Sequence, residues 1–349
     1  MLLVLAIDAL GFGRFAPWEE LRERISKADY MEIGVAADRM FFETLRALPE
    51  ETPSVALLGT SRAGRGLVSY ELAQGPLQHV EFLRFCHAGL SPFELHALVS
   101  ELVETPPDVA VFMLSEFETH RPLRLQTVLG AGSPTALFDL AELAGASFVF
   151  EHRDTFLGLT LASALNAYRY RALWASAGLV SWRRFLPAHL DRRRDQLSAP
   201  FLMTGEPPLP VNILETRKQL GEVFPLVGAS LLRAQLVQLR GITLGPHADL
   251  QLELTRRSVE ALLAAGSQVL LVEGPIYPPA VTLFAEEPRA QFRRFARELK
   301  ALPGVEMIWL SESGPFRAPV FGDLTHLDTP GSKQLAVSVR KRLASMLDL

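Results

Sequence analysis

Six apolar residues in a row, Val109-Ala-Val-Phe-Met-Leu114, follow Pro106-Pro107-Asp108. A strand-length run without polar alternation has no face to give to water, so it predicts a strand buried on both sides. Val55-Ala-Leu-Leu58 and Gln268-Val-Leu-Leu-Val272 read the same way. Val80 to Cys86 reads as an alternating, partly aromatic strand, and Val305 to Leu310 as a fifth. Helical patterns separate them. Ser91 can cap and Pro92 start one helix; Leu250, Leu252, Leu254, Val259, Leu262 and Leu263 mark another; Pro288 to Leu302 is a third. Thr329 can cap, and Pro330 start, a last helix running to about Leu347. Strand followed by helix, repeated, predicts a three-layer α/β/α fold around a five-stranded parallel sheet. Ligands of such sheets bind beyond the C-terminal ends of the strands. Ser61, Gly89, Ser115 and Glu273 all stand just past such ends.

The turn after the first strand, Gly59-Thr-Ser-Arg62, presents Ser61 ahead of a helix expected from about Ala63. Most serines at such places only cap the helix. What lifts Ser61 above that reading is Asp323-Leu-Thr-His326 at the far end of the chain. One helical turn there would set Asp323 and His326 on one side. The aspartate could then hold one imidazole nitrogen and leave the other to take the serine proton.

Both stretches together resemble the SGNH (GDSL-like) hydrolase superfamily, whose sheet is flavodoxin-like. Ser61 falls at the first-block serine and Asp323-x-x-His326 at the last-block dyad. Gly89, in His87-Ala-Gly89-Leu-Ser-Pro92, is the best match to the second-block glycine, whose N–H faces the oxyanion. The third block departs from the pattern. An asparagine usually follows its strand, and this chain has Leu114-Ser115-Glu116-Phe117-Glu118. Ser115 is the residue expected to donate in its place, with Arg62 beside the nucleophile as a substrate-binding candidate. Glu116, if ionised, would oppose an oxyanion; by themselves Glu116 and Glu118 read as solvated loop charges. Losing one oxyanion donor lowers rates by roughly 100- to 1,000-fold. So two expectations stay open: a serine esterase or acyltransferase using Ser61, His326 and Asp323, or a weak or inactive glycan-binding or envelope-assembly relative. The Gly-Thr-Ser-Arg turn and Gly274-Pro-Ile-Tyr-Pro278 look most like exported, often membrane-tethered branches. Those relatives handle O-acetyl and related esters of cell-envelope polysaccharides, which implies a small-molecule or glycan ester substrate, no cofactor, and a periplasmic or outward-facing location; the cytoplasm is the alternative.

The resemblance spans roughly 54–119 and 250–347. It divides the chain into an N-terminal segment 1–50, a core of 51–119 and 250–349, and a mainly helical insertion 120–249 that covers or shapes the site. Two readings stay open for Met1 to Phe15, MLLVLAIDALGFGRF: the remnant of a membrane anchor, or a strand or helix packed on the core. Its apolar run Leu2 to Ile7 is too short to span a bilayer, and no basic n-region or cleavage site marks a signal peptide. Helices are expected over Ala136 to Ala144 and Phe156 to Leu186. The uncharged stretch Thr155 to Tyr168 suits a buried or interfacial helix rather than a span. Tyr168, Tyr170, Trp174 and Trp182 among Arg169, Arg171, Arg183 and Arg184 read first as a core stripe with solvated arginines, and second as a membrane- or glycan-facing patch. A hydrophobic fraction of 48% supports a sizeable core, and a net charge of −4 argues against a general nucleic-acid binder. One cysteine, Cys86, excludes an internal disulfide. Gly59-x4-Gly64 lacks the Lys-Ser/Thr of a phosphate loop, having Arg65-Gly66 there, and no His, Cys and acid spacing suggests zinc.

Overall fold

The computed structural model describes residues 41–87, 89–120, 134–151, 153, 156–157, 160, 224, 229–281, 286–311 and 320–349. Five strands form one sheet: β1 (Ser54–Gly59), β2 (Glu81–Cys86), β3 (Val109–Leu114), β4 (Gln268–Glu273) and β5 (Val305–Ile308). Every pairing is parallel, in the order β2-β1-β3-β4-β5. The helices around the sheet and the site include α1 (Ser61–Gly66), α2 (Pro92–Leu102), α3 (Glu116–Thr119), α4 (Pro134–Glu151), α5 (Ala229–Arg240), α6 (Pro246–Ala264), α7 (Glu286–Lys300) and α8 (Thr329–Met346). The expected five-stranded parallel sheet in a three-layer α/β fold is what the chain forms.

Alternate strand residues divide between two cores. Val55, Leu57, Val109, Val111, Met113, Leu270 and Val272 face one way and pack with Leu232, Leu236 and Leu239 of α5 and Leu335, Val339 and Leu343 of α8. Ala56, Leu58, Ala110, Phe112, Leu114, Val269 and Leu271 face the other way, onto α2, α6 and α7. Phe42 and Leu45, in the helical segment 41–47, join this second core, and the Phe42 and Phe85 rings lie 4.9 Å apart. Both faces being covered explains why these strands carry unbroken apolar runs.

Within 120–249, the longer described stretches are α4 and residues 229–249, which hold α5 and the start of α6. Helix α5 is part of the first core, while α4 forms a smaller cluster with α2 and α6 through Ala136, Leu137, Leu140, Phe93 and Leu254. His96 on α2 ties the two, its Nε2 standing 2.7 Å from Asp139 of α4 and its Nδ1 3.0 Å from Ser258 of α6. The expectations for residues 1–15, Tyr168 to Arg184 and most of 155–186 lie outside the described residues. Among the described residues no helix is long and apolar enough to cross a membrane.

Several ends differ from expectation. Ser91 caps α2 with a reciprocal Ser91–Glu94 box and Pro92 at its first turn, as expected. The last helix, however, is capped by Asp328, whose carboxylate accepts from Gly331 N at 2.9 Å, and Thr329 is its first residue. A carboxylate also answers the positive end of the helix better than a hydroxyl. Helix α1 starts at Ser61 rather than near Ala63, because Thr60 takes the capping role and accepts from Arg62 N.

Gly59 fixes the angle between β1 and α1. Its φ is +152°, and a Cβ there would lie 2.6 Å from Ala63 Cβ and 3.1 Å from Met113 O. Gly75, at φ +62°, has nothing within 4 Å of such a Cβ. Gly59→Ala should therefore cost about 3 kcal/mol, combining overpacking with backbone strain, and Gly75→Ala about 1 kcal/mol from backbone alone. Urea unfolding of the two variants side by side checks the difference.

Candidate active site

Strand β1 is an interior strand beside the central β3, and the chain reverses its winding direction between the two, so a crevice opens above their C-terminal ends. Ser61 stands at that crevice as the first residue of α1, half-buried. Its Oγ lies 2.9 Å from His326 Nε2, across 265 positions of sequence. His326 Nδ1 is 2.9 Å from both carboxylate oxygens of Asp323. The three expected catalytic side chains are thus brought together, with hydrogen-bonding contacts in series.

The dyad is not on a helical turn, as its spacing suggested. Residues 321–327 form a tight loop closed by an antiparallel bridge between Phe321 and Leu327 and by Gly322 N donating to His326 O at 2.9 Å. Asp323 Oδ1 accepts the N–H groups of Thr325 and His326, each at 2.9 Å, so the carboxylate organises the loop that carries its own histidine. Gln235 of α5 braces the loop through Leu324 N and Thr325 Oγ1, and Tyr277 N donates to Leu324 O. Ser332 Oγ donates to Arg65 O at 2.6 Å, joining α8 to α1 behind the pair.

Proton positions follow from charge. Burial pushes the Asp323 carboxyl up, but the hydrogen bond and charge of His326, with the Thr325 N–H and the Gln235 side chain, bring it down to about 2 from an ordinary 3.8. An ionised carboxylate only accepts, so Nδ1 carries the hydrogen facing Asp323. In the neutral ring Nε2 is then the acceptor, and Ser61 Oγ–H donates to it.

Arg62 and Ser115 go elsewhere. Arg62, expected at the substrate surface, is turned inward with its side chain 1% exposed, paired at 2.8 Å with Glu118, also 1% exposed. Nη1 donates to Glu118 and to Ser115 Oγ; Nε reaches Pro275 O and Thr325 O, each at 3.2 Å; Nη2 donates to Pro275 O. The guanidinium lies 5.0 Å from the centre of the Phe117 ring. Gly274 leaves room for it: a Cβ there would come within 2.9 Å of Arg62 Cζ. Thr60 Oγ1 also donates to Glu118. Ser115, expected as an oxyanion donor, is fully buried; it caps α3 in a reciprocal box with Glu118, and its Oγ serves Arg62, Phe117 N and Glu118. Removing one partner of such a buried pair costs about 3–5 kcal/mol.

The two glutamates expected as solvated loop charges are buried as well. Burial raises the Glu116 carboxyl above its ordinary range, against the opposing pull of its own N–H and of Arg289, 3.9 Å away. Glu273, the last residue of β4, accepts from Ser311 N and Oγ at 2.8 and 2.7 Å. Gly89 sits in the turn after β2 with φ +82°, where glycine is favoured, and His87 N donates to Gly59 O, which holds that turn beside the end of β1. Among the described residues no group of three or more His, Cys, Asp or Glu is arranged to hold a metal ion. Sequence reasoning missed Glu118, Gln235 and the carbonyls of Pro275 and Thr325. The Ser115-x-x-Glu118 capping pattern was the one local signal available for the first of them.

Comparison of the chain with models of known protein families and with curated proteins finds no match.

The depressed Asp323 value has a definite sign. Its folded pKa lies below the unfolded one, so the unfolded chain binds more protons between the two and stability rises with pH there. The contribution of Asp323 is present above 3.8 and fades as pH falls toward about 2. Asp323→Asn should therefore destabilise the protein at neutral pH, and the difference from the parent should shrink on acidification through that window. Thermal melts of both proteins at a series of pH values measure it.

Proposed function

We propose that this chain is an SGNH-type serine esterase or acyltransferase in which Ser61 is the nucleophile, His326 the general base and Asp323 its orienting partner. The observation that carries the reading is the 2.9 Å contact between Ser61 Oγ and His326 Nε2, with Asp323 on the other ring nitrogen. In the proposed reaction His326 takes the Ser61 proton as Oγ attacks an ester carbonyl, and Asp323 stabilises the imidazolium. The imidazolium returns its proton to the leaving alcohol. Water or a sugar hydroxyl then attacks the acyl-enzyme, giving hydrolysis or transfer. The N–H groups of Ser61 and Gly89 are the oxyanion donors in this scheme. The resemblance to exported branches supports an O-acyl ester of a cell-envelope glycan as substrate, and an outward-facing location.

A second reading is a non-catalytic, glycan-binding SGNH-like scaffold. It is favoured by the third-block position, where Ser115 Oγ is engaged with Arg62 and Glu118 and no asparagine stands in for it.

A fluorophosphonate probe separates the two. The catalytic reading expects covalent labelling that Ser61→Ala abolishes. His326→Ala should slow labelling by about 10⁴-fold or more, and Asp323→Asn by a similar or smaller factor, since members of such a unit do not add. No labelling of the folded parent protein would favour the scaffold.

A further inference from the structure

Arg62 follows the candidate nucleophile directly, yet its side chain serves the loop of the candidate base. We propose that Arg62 is a positioning residue that sets the register of His326 against Ser61, an inference that rests on the hydrolase reading of this site. Two links join the same two segments. One is the contact of Ser61 Oγ with His326 Nε2 at 2.9 Å. The other joins the residue after Ser61 to the residue before His326, Arg62 Nε donating to Thr325 O at 3.2 Å. Together with the Ser61–Arg62 and Thr325–His326 peptide links they close a ring around the dyad. A shift of the base loop along α1 would have to break both.

The rest of the guanidinium makes the clamp rigid. Its remaining donors are held by Glu118 and Ser115 at the end of β3 and by Pro275 after β4, so the fork cannot swing. Planar geometry lets one side chain serve three directions at once, which an ammonium on a flexible stem does not reproduce. Glu118 also cancels the charge of Arg62 at 2.8 Å, so the clamp holds the loop without setting a bare cation against the imidazolium that forms on His326. A substrate-contacting arginine would need exposure, and the Arg62 side chain is 1% exposed.

Two variants test this. Arg62→Lys keeps a charge for Glu118 but loses the fork. Arg62→Gln with Glu118→Gln removes both charges and keeps hydrogen-bonding groups, should the first variant fold poorly. Three readouts are taken on the full chain: the fluorophosphonate labelling rate of the folded protein, KM and kcat for a chromogenic acetate ester, and the downfield proton resonance of His326 Nδ1–H, assigned by its loss in His326→Gln. Labelling and kcat should fall about 100-fold, the effect of misplacing a reacting group by about 1 Å, with KM unchanged and the resonance shifted or broadened away. A parent-like labelling rate and an unmoved resonance in folded variants would overturn the proposal. A raised KM with unchanged labelling would overturn it in favour of substrate contact. If the parent is never labelled but its resonance is lost in Arg62→Lys, the positioning role stands and the hydrolase reading falls.

Discussion

A guanidinium that does not release its proton has to be met with acceptors when it is buried, and Arg62 collects them from three other segments of the chain. Glu118 and Ser115 come from the end of β3, Pro275 from the end of β4, and Thr325 from the loop before α8. Leaving the charge without these partners would be far costlier than any one of the hydrogen bonds is worth, so these segments converge or the arginine does not bury. The loops at the C-terminal edge of the sheet, which in many α/β proteins are free to vary, are here tied to one another beneath the surface. Ser61 and His326 sit on top of that knot and keep part of their surface exposed.

Sheet topology places the knot. With the order β2-β1-β3-β4-β5, the chain passes from β2 beyond β1 to β3, so the crevice falls between the C-terminal ends of β1 and β3. Gly59 lets α1 rise steeply from β1, so that Ser61 is presented at the rim while Arg62 drops behind it. The base loop comes from the other end of the chain and is held from three sides: by Arg62, by Tyr277 after β4, and by Gln235 of α5. Helix α5, in the connection from β3 to β4, thus shares both the core and the bracing of the site.

Much of this was legible in residues. The strands could be read because burial on both faces removes the polar alternation that confuses shorter signals, and Val109 to Leu114 matched to the residue. The meeting of Ser61, Asp323 and His326 could be read because the proposed chemistry needs those residue types at a turn and at a short spacing. The orientation of Arg62 could not. An arginine beside a nucleophile looks substrate-facing until its partner is known, and Glu118 lies 56 positions away. Ser115 and Glu116 misled for the same reason: a polar residue after a strand is a loop residue by local rules, and only the tertiary contacts of α3 and α7 bury it. The dyad loop differed because residues 321–327 close on themselves through the Phe321–Leu327 bridge and the bond from Gly322 N to His326 O, pairings that a helical turn does not make.

In the proposed reaction Ser61 attacks a carbonyl carbon, and the acyl-enzyme is the direct product. Acid-quenching the protein during turnover of a chromogenic acetate ester, followed by peptide mass spectrometry, asks for that species. One acetyl group is expected on the peptide containing Ser61, accumulating before steady state and absent in Ser61→Ala. An unmodified Ser61 peptide, or acetyl appearing only on other residues, would contradict it.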